Sequence, residues 1–213
     1  MKDLAAKSAK GAKKGEAWPM VRLGDVCEFQ RGLTYKKTDE VYSSSSIVLR
    51  SNNITLESGA LDFSELKCLR DDFIVPSDKK VRKDSILICM ANGSKSHLGK
   101  VAFIDRDFGY AFGGFMGLLL PRGVDPKYLY LALTSQCFKK HVGQIQDGAN
   151  INNLKFTDIS DFKFPLPPLE VQRKIVERLE KELGEADALK AAAERVLKGA
   201  DNLRKAILAE AFE

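Results

Sequence analysis

The spacing of apolar residues changes character twice along this chain. Between residues 18 and 167 the apolar runs are short: Ile47–Leu49, Ser85–Met90, Val101–Ile104 and Phe115–Leu120 alternate with clusters of Gly, Asn, Ser and Asp. Runs of this length bounded by turn residues predict short strands joined by turns. Asp125 followed by Pro126 predicts a helix start, continued by Tyr128, Leu129, Leu131, Ala132 and Leu133. The segment therefore reads as α+β, a globular domain of mixed sheet and helix.

After Pro165, Pro167 and Pro168 there is no further proline, and Leu169 to Phe212 is almost entirely good helix formers. Apolar residues recur at Val176, Leu179, Leu183, Ala186, Leu189, Ala193, Val196, Ala200, Leu203, Ile207 and Ala211. Steps of three and four sustained this long predict one helix with a coiled-coil seam. At 1.5 Å per residue such a helix spans about 65 Å. Gly184 and Gly199 each weaken it by up to ~1 kcal/mol. No second long helix offers cover, so the stripe is expected to bury against another chain, most simply a second copy; the competing reading folds the helix back on its own domain. Leu169, Val176, Leu179, Leu183, Leu189, Val196, Leu203 and Ile207 are the expected interface residues.

Composition sharpens this division into a tail (1–17), a domain (18–167) and a long helix (168–213). The tail holds Lys2, Lys7, Lys10, Lys13 and Lys14 among alanines and glycines. It lacks the apolar core of a secretory signal, so a frayed or weakly helical basic tail is expected, with a DNA-tracking arm as the sharper alternative. No apolar run approaches the ~20 residues needed to cross a bilayer. The four cysteines (Cys27, Cys68, Cys89 and Cys137) form no CxxC pair. Reduced thiols in a cytoplasmic protein are expected rather than a disulfide framework or metal site.

The net charge is +5 over 213 residues, which is mild. Its distribution says more: from Glu170 onward nine Lys and Arg face ten Asp and Glu, a net −1, which leaves +6 before it. A positive excess in the globular part suits a surface facing phosphate.

Three polar stretches offer the donors and acceptors that base edges require. Arg50, Ser51, Asn52 and Asn53 follow one apolar run. Asn92, Gly93, Ser94, Lys95, Ser96 and His97 follow another, with Lys100 close behind. Gln144, Gln146, Asn150, Asn152 and Asn153 lie near the end of the domain, where they could instead support the helix junction or a partner contact. Lys36 and Lys37 are candidate phosphate contacts, which position without specifying. The ordinary reading of each stretch is a solvated turn.

Other chemistries find no footing. "GSKS" at Gly93–Ser96 lacks the glycine spacing of a phosphate-binding loop. His97 and His141 are too few and too isolated for a metal site or a triad. No cofactor loop and no "NPPY" tetrapeptide appears, so neither a cofactor nor methylation by this chain alone is expected.

Several stretches resemble the repeating unit of the specificity subunits of type I restriction-modification systems. "WPMVRLGDVCEFQRG" (Trp18 to Gly32) is similar to the opening of their target-recognition domains, and "IVLRSNNI", "DSILICMANGSKSHLGKVAFI" and "GYAFGGFMGLLLP" follow in the family's order. "PLPPLEVQ" at Pro165–Gln172 is close to a signature, and "LRKAILAEAFE" resembles the end of the helical region. The resemblance implies a non-catalytic subunit with two recognition domains, each reading one half of a split site in double-stranded DNA. Antiparallel helices between them set the separation. It implies methyltransferase subunits as partners, and a restriction subunit through them. This chain carries one such unit, as expected of a natural half subunit, a truncated product or a fragment. Two copies joined by their helices would then read a symmetrical split site. The recognition part of a fused restriction-methylation enzyme and a coiled-coil protein-interaction module are the alternatives.

Overall fold

The computed structural model describes residues 18–56, 58–149 and 153–212, the side chains of 146–149 excepted. The basic tail, and Asn150 and Asn152 of the third polar stretch, lie outside the described residues. Two compact units divide between Gln172 and Arg173.

The first unit contains two four-stranded sheets. One has the order β2 (Cys27–Arg31), β9 (Met116–Pro121), β6 (Ser85–Cys89), β7 (Val101–Ile104), antiparallel throughout. β6 is buried at every position, as a Ser-Ile-Leu-Ile-Cys run demands: no side chain but Ser85 is polar, and the strand lies between two neighbours. The other sheet has the order β3 (Glu40–Val41), β5 (Lys67–Leu69), β4 (Ser46–Leu49), β8 (Ala111–Phe112), and its β4–β8 pair is parallel. One apolar cluster joins the two sheets: Leu49 and Phe112 pack with Leu87, Cys89, Ala102, Ile104, Met116 and Leu118. The buried Cys89 thiol is pushed up to about 11 by desolvation, so it acts as a small apolar filler.

The expected strands appear within a residue or so of their predicted bounds. The helix α1 (Pro126–Thr134) starts where Asp125 predicted it. The Asp125 carboxylate accepts from the amides of Lys127 (3.0 Å) and Tyr128 (3.1 Å), which satisfies two of the donors a helix start leaves open. A second helix, α2 (Gln136–Ala149), was not anticipated; it takes in Gln144 and Gln146, which sequence reasoning had assigned to a polar stretch. A short α3 (Phe156–Ser160) follows, and its Phe156 lies over Gly117, where an added Cβ would approach within 2.8 Å.

The two ends of this unit are tied together. β1 (Met20–Arg22) pairs antiparallel with β10 (Lys163–Pro165), with Met20 opposite Pro165 and Arg22 opposite Lys163. Arg22 also pairs with Asp161, and the Leu166 amide donates to the Pro19 carbonyl at 2.9 Å. The long helix α4 (Leu169–Phe212) begins directly after this ribbon and runs through Gly184 and Gly199.

Its first turn is fixed by one side chain. Gln172 is 1% exposed. Its amide nitrogen donates to the Pro167 carbonyl at 2.7 Å, and its amide oxygen accepts from the Asp125 backbone N–H at 2.8 Å. The start of α4 is thereby bonded to the N-cap of α1. We expect Gln172→Ala to leave both groups without a partner, at about 1–3 kcal/mol each. A urea titration checks this: the midpoint should fall with the slope unchanged.

Candidate nucleic-acid interface

The sheet registers bring the candidate residues to one end of the first unit. β2 and β6 both run antiparallel to β9, so both finish where β9 begins, with Arg31 opposite Gly117 and Cys89 opposite Met116. β4 and β8 run parallel, with Leu49 opposite Phe112. Only Gly113, Gly114 and Phe115 separate β8 from β9. The segments leaving β2, β4 and β6 therefore meet the 113–115 turn.

Direct bonds join them. The Asn92 side-chain amide donates to Ser51 Oγ at 2.8 Å, bridging 41 residues of sequence. Its oxygen accepts from the Ser94 amide at 2.9 Å, and Ser94 and Ser96 share a hydroxyl bond of 2.8 Å. Ala91 forms a β-bridge with Asn153. Two polar stretches far apart in sequence thus supply one surface, with Asn153 of the third beside them. Asn52, Ser94, Lys95 and Ser96 are exposed there, and Asn92 and His97 are half-buried.

Asn53 holds the first stretch from inside. It is 1% exposed. It donates to the carbonyls of Asp62 and Glu65, both at 2.8 Å, and accepts from the Arg50 amide at 2.9 Å. Lys100 also turns inward: its ammonium donates to the Ile54 carbonyl at 2.6 Å, and burial lowers its pKa. Its charge is engaged within the domain. Desolvation, with Lys100 nearby, also lowers the pKa of His97 and favours the neutral ring.

Beside this surface lies a cleft of about 660 Å³, lined among others by Tyr35, Lys37, Arg50, Lys67, Gly113 and Phe115. Lys67 is bonded to Glu40 at 3.0 Å. Among the described residues no carboxylate pairs with Lys37 or Arg50; Arg50 instead faces Tyr35, whose phenol burial holds above its ordinary pKa while Arg50 pulls it down. Lys36 is exposed next to the cleft residue Lys37. Tyr35, Lys67 and Phe115 were missed from sequence. Phe115 looked like the first residue of a buried strand, yet it lies outside β9 and is 73% exposed.

Of the expected interface residues on α4, Val176 is buried and Leu179 half-buried. Leu169, Leu183, Leu189, Val196, Leu203 and Ile207 are exposed, and so are Leu197, Leu208 and Phe212.

The fold has relatives. The model of the type I restriction modification DNA specificity domain matches residues 15–197, and the chain belongs to that family. It is 32% identical over 93% of its length to the type I restriction enzyme StySPI specificity subunit of Salmonella potsdam, covering 43% of that protein. It is 30% identical over 92% to the EcoKI specificity subunit of Escherichia coli K12, covering 42%. The chain thus spans less than half the length of these curated relatives. Among solved structures, a chain of a type I R-M system studied for its complex assembly and conformational transition has a TM-score of 0.72 at 22% identity. The match covers 96% of this chain and 48% of that one. The HsdS subunit from Thermoanaerobacter tengcongensis has a TM-score of 0.60 at 21% identity, over 88% and 43% respectively. These two likenesses establish the fold.

The segment after β2 is packed against the 113–115 turn with no room to spare. A Cβ added at Gly32 would stand 1.9 Å from the Gly113 carbonyl oxygen. Gly32→Ala should therefore force the two segments apart, costing on the order of 1–3 kcal/mol as overpacking does. Thermal unfolding monitored by circular dichroism checks this, an unchanged midpoint being the contrary result.

Proposed function

We propose that the chain is a non-catalytic DNA-specificity module of a type I restriction-modification system. One surface, built from Arg50–Asn52, Asn92–His97 and the cleft beside them, reads one half of a split site in double-stranded DNA. The observation that carries this is the bonding of separate polar stretches into a single exposed face next to Lys37 and Arg50, which have no acidic partner among the described residues. Asn and Ser supply base-edge donors and acceptors, and Lys36, Lys37 and Lys95 supply phosphate contacts.

The exposed apolar residues of α4 support the second half of the proposal. Leu183, Leu189, Val196, Leu203 and Ile207 repeat along a helix of 44 residues. A second copy laid along them would bury the stripe and set the distance between two reading heads. Methyltransferase subunits, and a restriction subunit through them, are the partners to which the assembled module would lend its specificity, in the cytoplasm.

Selection of duplexes from a random pool by the full chain should enrich a symmetrical split motif; a pool without enrichment counts against the reading. Lys37→Ala should reduce the slope of log affinity against log salt by about 0.9, the contribution of one phosphate contact.

Replacing Leu183, Leu203 and Ile207 by Glu removes no buried side chain, so the first unit should stay folded. Light scattering should then report a monomer where the parent chain is a dimer, and a mass that stays dimeric places the interface elsewhere.

A further inference from the structure

We propose that Phe115 is a base-contacting residue: its ring packs against the bases of the bound duplex and contributes to which sequence is chosen. This rests on the DNA-reading function proposed above and adds to it a residue of a different chemistry from the polar readers.

Three observations carry it. First, the ring is 73% exposed although its neighbours Met116, Gly117, Leu118 and Leu119 are all buried. Second, the backbone that presents it is held on all sides. The Phe115 carbonyl accepts from the amides of Met90 (2.9 Å) and Ala91 (3.1 Å), Met116 N donates to Gly113 O at 2.8 Å, and Gly113 N donates to Leu49 O at 2.9 Å. The backbone of so constrained a turn is already ordered, so only side-chain freedom remains to be lost when a partner covers the ring. Third, the residues that share its cleft are charged for one kind of partner. Lys37, Arg50 and Lys67 face a single carboxylate there, Glu40, and Ser51 is bonded to Asn92 of the neighbouring loop.

A cationic cleft holding an exposed aromatic ring is complementary to a polyanion that also offers apolar surface. Duplex DNA is such a partner: phosphates engage the cations, while thymine methyl groups in the major groove offer apolar surface for a phenyl ring. The polar loops on the same face place base edges within the same footprint.

The test uses the full chain and the duplex enriched from the random pool, with a scrambled duplex as control. Phe115→Ala should lose roughly tenfold affinity for the selected duplex, the size of effect that one unfavourable base pair has in a specific site. It should bind the scrambled duplex as the parent does and tolerate changes at one base step that the parent rejects. Phe115→Tyr, which keeps the ring, should retain the preference. Because the side chain is exposed, its truncation should leave the thermal midpoint in place. Equal sequence preference in parent and Phe115→Ala overturns this inference and leaves the function standing. A uniform loss on both duplexes also overturns it, by making Phe115 a general contact. A parent chain that shows no sequence preference overturns the function and this inference with it.

Discussion

Three residues separate two sheets. Between Phe112 at the end of β8 and Met116 at the start of β9 the chain has only Gly113, Gly114 and Phe115 in which to pass from one sheet to the other. A connection this short fixes where the neighbouring strand ends lie. β4 runs parallel to β8, and β2 and β6 run antiparallel to β9, so all three end beside the same turn. The glycines are what make the passage possible. Gly32 and Gly113 approach so closely that a methyl group has no place between them, and Gly113 gives its amide to Leu49. The convergence of loops that forms the candidate interface is thus a consequence of sheet topology before it is a matter of loop sequence.

The opposite demand, a defined start for the long helix, is met by hydrogen bonds to backbone. The β1–β10 ribbon brings the first and last strands of the globular unit side by side. Pro167 and Pro168 have no backbone N–H to donate, and Gln172 donates to the Pro167 carbonyl while accepting from the Asp125 N–H. A glutamine this buried is stable only when both ends of its amide are engaged. Here they are, and the same residue completes the cap of α1 and anchors the first turn of α4.

What could be read in the sequence follows a physical division between local and distant causes. Helix α4 was legible over its described length, because a sustained three-and-four spacing after a proline cluster is a local signal. The Asp125 cap was legible for the same reason, and β6 and β7 declared themselves by short apolar runs. Helix α2 was not: Gln, Asn and Gly near its end carry a turn signal that outweighed its apolar positions. Phe115 was assigned to a strand because it opens an apolar run, and periodicity cannot tell the last exposed residue of a turn from the first buried residue of a strand. The joining of Ser51 to Asn92, and of Ala91 to Asn153, depends on register between distant strands. No single-residue pattern encodes that. Gln172 was visible only as part of a family motif, since its role lies in two partners it does not neighbour in sequence.

Charge shows why geometry has to be added to composition. The +6 carried by the residues before Glu170 includes cations already committed elsewhere. Lys100 donates to a carbonyl in the domain, Lys67 is paired with Glu40, Arg70 with Asp39 and Asp72, Arg122 with Glu28, and Arg22 with Asp161. Exposed pairs of this kind contribute little to stability, but they cancel field, so the positive surface is narrower than the count of residues implies. Lys37 and Arg50 lack such acidic partners among the described residues, and they lie at the cleft where the loops converge. The electrostatic and topological arguments therefore arrive at one end of the domain, where cations, hydrogen-bonded side-chain amides and an exposed aromatic ring on a held backbone come together.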